Sequence, residues 1–202
     1  RRYRAISPRQ GFYHIYMAHN HHMLAFAAMM QGHSTVALSA AREMVAGVPP
    51  DYARESAALV DPSMMIVSEV LMRFGRWDDV LREPQPPDYL PISTALWHFT
   101  RGVAWAAKGR LDQAEAERAA FTAAAAKVPA DAMMSINLAH RILDIARHLL
   151  DGETAYRRGD LDAAVAELEV AVQLEDQLMY MEPPEWIQPV RHTLGAIQLQ
   201  AG

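Results

Sequence analysis

The sequence contains no cysteine, which excludes disulfides, thiolate metal sites and cysteine nucleophiles. It has no uninterrupted run of about 20 apolar residues, the length that a membrane-spanning helix needs, and its start, RRYRAISPRQ, has no apolar stretch of the signal-peptide kind. Basic charge is not in excess, because 19 Lys and Arg face 24 Asp and Glu. We therefore expect a soluble, cytoplasmic protein with neither nucleic acid nor membrane as a partner.

Alternating β-branched segments, the usual signal for strands, are also scarce. The 202 residues are 51% hydrophobic, which is enough for a sizeable core, and they are rich in the helix formers alanine, leucine and methionine. No nucleophile elbow and no phosphate-binding glycine loop is present. The sequence predicts an all-α fold and favours a non-catalytic role.

An apolar helical stretch that ends at a glycine occurs five times, at Gly32, Gly75, Gly109, Gly159 and Gly202. A second amphipathic segment follows each of the first four glycines, as in LDQAEAERAAF and LDAAVAELEVAVQLE. A further glycine, small enough to let two helices approach closely, stands seven positions before three of these glycines. The pattern predicts helix hairpins closed by glycine turns.

These features resemble the tetratricopeptide repeat, and the strings HNHHM, RFGRWDDVL, LWHFTRG and EPPEW resemble a group of large bacterial tetratricopeptide proteins. The resemblance implies an α-solenoid, a right-handed superhelix of hairpins, in a single domain. We expect units over about 12–47, 61–83, 92–128 and 137–178, and a lone first helix over 186–202. We also expect the chain to be a fragment of a longer protein, because a lone helix leaves one apolar face uncovered.

Only the interval between Gly75 and Gly109 has the standard repeat length of about 34 residues. The other intervals contain inserts rich in proline and polar residues, such as VPPDYARESAALVDP, KVPADAMMSIN and MYMEPPEWIQP. Asp61 followed by Pro62 predicts a helix N-cap and first-turn proline at the start of the second unit. Trp186 is either an apolar anchor for a ligand or a residue that packs over the start of the last helix.

In tetratricopeptide proteins the first helices line a concave groove that binds peptides. The resemblance therefore implies a groove and predicts a non-catalytic scaffold that binds a protein or peptide segment without a cofactor. The residues that the repeat register assigns to the groove are His19, His22, Phe26, Glu69, Arg73, Phe99, Glu153 and Tyr156.

The histidines allow an alternative function. His19 and His22 project from neighbouring positions of one helical face, and Glu69 from the next first helix would complete a site for a divalent metal. This would make the chain a metal-binding module or a metal-dependent enzyme. Against it, HNHH lacks the spacing of an HExxH motif, and half-buried imidazoles often serve as hydrogen-bonding groups in helix hairpins.

Other residues that could bind ligands have structural interpretations. His21, His98 and His148 occupy the same position of the repeat, which usually holds a large packing residue. The 12 methionines suit copper chemically, but neighbouring pairs such as Met133 and Met134 point to different sides of a helix, so core and groove packing is expected for most.

Overall fold

A computed structural model describes Ile6 and residues 13–201 of the chain. The predicted turn at Gly202 and the first residue of the first unit, Phe12, lie outside the described residues. The helices and strands, in chain order, are α1 (Tyr13–Met30), α2 (Ser34–Ala46), α3 (Pro50–Glu55), α4 (Ala57–Val60), a 3-10 turn (Asp61–Ser63), α5 (Ile66–Arg73), α6 (Trp77–Arg82), α7 (Pro91–Ala107), α8 (Leu111–Ala125), β1 (Met133–Met134), β2 (Asn137–Leu138), α9 (Ala139–Arg158), α10 (Leu161–Glu175) and α11 (Val190–Ala201).

The all-α class is confirmed, since the described chain is helical apart from turns, loops and one antiparallel pair of two-residue strands. Helices pair along the chain as α1 with α2, α5 with α6, α7 with α8, and α9 with α10. Each pair also contacts the next: α2 packs against α5, α6 against α7, α7 against α9, and α10 against α11. Within residues 13–201, no helix is both long enough and apolar enough to cross a membrane.

The turn after each first helix has the same geometry at Gly32, Gly75, Gly109 and Gly159, where φ is 75°, 64°, 71° and 85°. The N–H of each glycine donates to the carbonyl three residues back, and the next N–H donates to the carbonyl five residues back. This is the Schellman arrangement, whose left-handed residue carries no penalty when it is glycine. The predicted glycine turns are confirmed at these four positions.

Small residues allow the helices to cross closely. A Cβ placed on Gly152 of α9 would lie 2.8 Å from Leu168 Cγ and 3.2 Å from the carbonyl oxygen of Ala164, both on α10. A Cβ on Gly102 of α7 would lie 2.9 Å from Leu150 on α9. A side chain at position 152 would force α9 and α10 apart, whereas at position 102 the methyl groups of Leu150 would have to shift, so Gly152 in particular sets a distance between neighbouring helices.

Four inserts join the pairs. We name them the first insert (residues 47–65), the second insert (83–90), the third insert (126–138) and the fourth insert (176–189). The first contains α3, α4 and the 3-10 turn, the third contains the short strands, and the fourth is irregular.

Asp61 does not have the predicted role at the start of the second unit. Its carboxylate accepts hydrogen bonds of 2.8 Å from the backbone N–H groups of Ile92 and Ser93, so it caps α7 instead. The Ser93 hydroxyl donates back to the Asp61 carbonyl at 2.8 Å. A capping residue normally precedes its own helix, whereas this one reaches the helix from 31 residues away.

Candidate binding cavity

A cavity of about 340 Å³ lies beside α1 and α5. Glu69 is the residue of α5 that lines it. The lining residues of α1 are spaced as one face of a helix requires, and they are His14, Ile15, Ala18, His19 and His22. Three of the predicted site residues, His19, His22 and Glu69, are therefore brought to one cavity.

Three of the four inserts and Met44 of α2 build the rest of the wall. They contribute side chains that are mainly apolar, with several methionines. The first insert provides Val48, Tyr52, Ala58, Leu59, Val60, Pro62, Ser63 and Met64; the third provides Met133, Met134 and Ser135; the fourth provides Met181, Glu182, Pro183 and Glu185. The segments that join the helix pairs are thus the ones that enclose the cavity.

Asn137 holds the third and fourth inserts together. Its side-chain amide donates to the Met179 carbonyl at 3.1 Å and to Glu185 Oε2 at 2.9 Å, and its Oδ1 accepts from the Met179 N–H at 2.8 Å. The backbone N–H of Ile136 donates to the other oxygen of Glu185 at 3.3 Å. Asn137 is only 2% exposed, so these bonds satisfy a buried amide that would otherwise be costly.

Trp186 of the fourth insert packs on α7, with its ring centroid 5.7 Å from that of Phe99. Phe99 is 2% exposed and belongs to the main core. The prediction that Phe99 lines an open groove is therefore wrong, because the fourth insert covers the face of α7 that the repeat register would leave free. Trp186 is buried, and its ring contact is with α7 and not with the start of the last helix, so both alternatives for this residue stay predictions.

Glu69 is an acid of the cavity wall whose pKa is strongly shifted. Burial raises the pKa of its carboxyl from 4.5 to about 8. Among the described residues, no cation or hydrogen-bond donor contacts this carboxyl. Nothing therefore compensates the ionised form for the hydration that it loses on burial. The side chain is therefore mainly protonated at neutral pH.

The pKa of the His22 imidazole is shifted downwards, which keeps this side chain neutral. Burial lowers the pKa of His22 to about 4, and the nearby imidazole of His19 contributes to the same shift. At neutral pH the cavity therefore presents a neutral His22 opposite the α5 wall. His14 adds a buried Nδ1 that has no hydrogen-bond partner in the described part of the chain.

The remaining predicted groove residues lie elsewhere. Phe26 lines a second cavity, of about 530 Å³, between α1 and the fourth insert. Arg73 Nη1 lies 3.2 Å from His192 Nδ1, which joins α5 to α11. Tyr156 donates its hydroxyl hydrogen bond to Gln200.

Glu153 has a side chain that is 16% exposed and lies 3.8 Å from Arg157. Burial raises the pKa of Glu153, and the Arg157 guanidinium opposes that shift. The eight residues assigned to one groove are therefore divided between two cavities, the core, contacts with α11 and, for Glu153, an ion pair within α9.

The metal hypothesis requires His19, His22 and Glu69 to converge on one point. Within residues 13–201, no three His, Asp or Glu side chains come together as a group that could hold a metal ion. His19, His22 and Glu69 share a cavity wall but are not assembled as a ligand set. Metal binding by these residues would require a rearrangement of the side chains.

His21, His98 and His148 each lie near a glutamate of the second helix of their hairpin. His98 Nδ1 is 2.7 Å from Glu117, and His148 Nδ1 is 2.6 Å from Glu167. His21 Nδ1 is 3.8 Å from Glu43. These contacts tie the two helices of a hairpin together, which agrees with a structural role.

Sequence reasoning missed Asn137 and Glu185, which hold the third and fourth inserts together, and it assigned the cap formed by Asp61 to the wrong helix. Asp61 and Glu185 did have a signal, because each is an acidic residue in a proline-rich segment, but nothing local indicated their partners. Comparison with protein-family models, with curated proteins and with solved structures found no match to the chain.

Proposed function

We propose that the chain is a non-catalytic binding scaffold of the tetratricopeptide type, which holds a ligand or a partner segment in the cavity between α1, α5 and the inserts. Support for the repeat assignment comes from the four identical glycine turns and from the packing of each helix pair on the next. In such an array the first helices form a concave wall, and α1 and α5 are both first helices.

The observation that carries the proposal is the convergence of three separate inserts on one cavity. Inserts that served only as connections could lie on the outer surface, where loops are normally found. Here they meet over α1 and α5 and enclose a volume of about 340 Å³, with apolar walls and a few polar groups. Ligand pockets have this size and composition.

A ligand-observed NMR screen with a library of small fragments tests the proposal. Ala58 is an exposed residue of the cavity wall, so Ala58→Trp should fill the cavity while leaving the core intact. Ala166, an exposed residue of α10, provides the matched control Ala166→Trp. We expect fragments that bind the wild type and the control but not Ala58→Trp, with circular dichroism showing all three folded.

The proposal is wrong if no fragment binds, or if binding is the same in Ala58→Trp and the wild type. Elemental analysis of the same samples, purified without a histidine tag, distinguishes the metal alternative. If the protein contains stoichiometric zinc, copper or iron and the His22→Ala variant loses it, the metal-binding hypothesis replaces the scaffold proposal.

A further inference from the structure

The ionisable groups that line the cavity include several acids but no strongly basic side chain among the described residues. Its lining includes three carboxyl groups, from Glu69, Glu182 and Glu185, and neither lysine nor arginine occurs among the described lining residues. The other titratable groups that face it are the imidazoles of α1 and one phenol of the first insert: His14, His19, His22 and Tyr52. An anionic ligand would meet no fixed positive charge there.

Glu69 is the carboxyl that remains available. Glu185 is engaged by Ile136 and Asn137, and Glu182 accepts a hydrogen bond from the Tyr180 hydroxyl. Glu69 has no such partner within the described chain, although it sits in the wall between α1 and the first insert. Glu69 is half-buried, and a half-buried acid without a donor is costly to keep ionised. A ligand that supplies a positive charge would satisfy it.

The surroundings of Glu69 suit a cation on an apolar stem. Methionine side chains are polarizable and adapt to alkyl chains, and they come from α2 and from all three inserts that line the cavity: Met44, Met64, Met133, Met134 and Met181. The ring of Tyr52 is available to contact a cation as well. Because His22 is neutral at neutral pH, its imidazole does not repel a positive ligand.

On the basis of the proposed function, we propose that this cavity binds a primary alkylammonium group on a short apolar stem, whose nitrogen donates hydrogen bonds to the Glu69 carboxylate. The group can belong to a free amine or to a lysine side chain of a partner peptide, since both present the same ammonium and methylene stem. A charge-assisted pair in such an enclosed site is stronger than a neutral hydrogen bond.

Binding of an ammonium group should release a proton. With a pKa of about 8, Glu69 is about nine-tenths protonated at pH 7, and it must ionise to pair with the ligand. We therefore expect release of about 0.9 proton per bound ligand at pH 7 and about fivefold tighter binding at pH 8. His14, His19, Tyr52, Glu182 and Glu185 face the same space, so the pH dependence must also be assigned by substitution.

Isothermal titration of n-hexylammonium chloride, in buffers of different ionisation enthalpy, tests the inference. The matched ligands are hexan-1-ol and hexanoate, and the matched variants are Glu69→Gln and the exposed control Glu169→Gln. We expect hexylammonium to bind the wild type and the control, with affinity about tenfold lower for Glu69→Gln and proton release lost in that variant.

A capped pentapeptide, acetyl-Ala-Leu-Lys-Leu-Ala-amide, and its norleucine analogue distinguish the two sources of the ammonium group. Binding of the lysine peptide alone assigns the site to a partner protein, and binding of hexylammonium alone assigns it to a free amine. The inference is overturned if hexan-1-ol or hexanoate binds as well as hexylammonium, or if Glu69→Gln changes nothing. It is also overturned if neither cation binds while neutral fragments occupy the cavity, a result that leaves the scaffold proposal standing.

Discussion

Replacement of Glu69 by glutamine should stabilise the free protein, and the gain should grow with pH. Folding raises the pKa of this carboxyl from 4.5 to about 8, so the folded chain holds the proton more tightly than the unfolded chain does. Below pH 4.5 both states are protonated and the carboxyl costs nothing. Between pH 4.5 and 8 the unfolded chain ionises while the folded chain does not, and the free energy of unfolding falls as pH rises.

The size of the effect follows from the shift. One pKa unit corresponds to about 1.4 kcal/mol, so the ionisation of Glu69 lowers the free energy of unfolding by roughly 1 kcal/mol at pH 5 and by about 3 kcal/mol at pH 7. The advantage of Glu69→Gln over the wild type should therefore increase by about 2.5 kcal/mol between these two pH values. Glutamine has the same shape but cannot ionise, which makes it the appropriate replacement.

Urea denaturation followed by circular dichroism at pH 5 and pH 7 measures this difference, with Glu169→Gln as the exposed control. The free energies of unfolding must be compared between variants at each pH, because His22 makes its own contribution to the pH dependence of stability. That contribution has the opposite sign to the one from Glu69. The pKa of His22 is lowered from 6.5 to about 4, so its contribution to stability is lost as pH falls through that range. A difference between Glu69→Gln and the wild type that stays constant with pH would refute the burial of an unpartnered carboxyl.

Three further substitutions test the packing. Gly152→Ala should lower the free energy of unfolding by about 1–3 kcal/mol in the same urea titrations, because the added Cβ would clash with α10. The control is Gly195→Ala, where a Cβ meets nothing within 4 Å, and it should be neutral or stabilising. Asp61→Ala should cost about 1–3 kcal/mol and increase amide hydrogen exchange in the first turn of α7; unchanged exchange there would contradict the remote cap. Asn137→Ala should make the fourth insert sensitive to limited proteolysis, while Asn20→Ala on the exposed side of α1 should not, and equal cleavage of the two variants would show that the amide does not hold the insert.

The hairpins could be predicted from the sequence because their determinants are local. A glycine at the end of an apolar helical stretch supplies the left-handed residue of a Schellman turn, and the turns at Gly109 and Gly159 formed where the spacing placed them. The grouping of His19, His22 and Glu69 at one cavity also followed from the repeat register. The hairpins needed only the period of the helices and the chemistry of their ends, whereas the grouping depended on the resemblance to the tetratricopeptide repeat.

The paths of the inserts could not be predicted, because distant partners decide them. Phe99 has the register of a groove residue, yet Trp186 covers it from 87 residues further along the chain. Asp61 has the sequence context of a local cap, yet the helix that it caps begins beyond two intervening helices. Periodicity describes an element and its immediate neighbour, and it carries no information about a loop that returns across several elements.

The return of the fourth insert also affects how the molecule unfolds. In an array whose units contact only their neighbours, the end units can open one after another while the middle remains folded. Here the insert between α10 and α11 reaches α1 and α7 and is tied to the third insert by Asn137. Opening of the first hairpin therefore removes support from the last part of the chain, so the two ends of the molecule should lose their structure together.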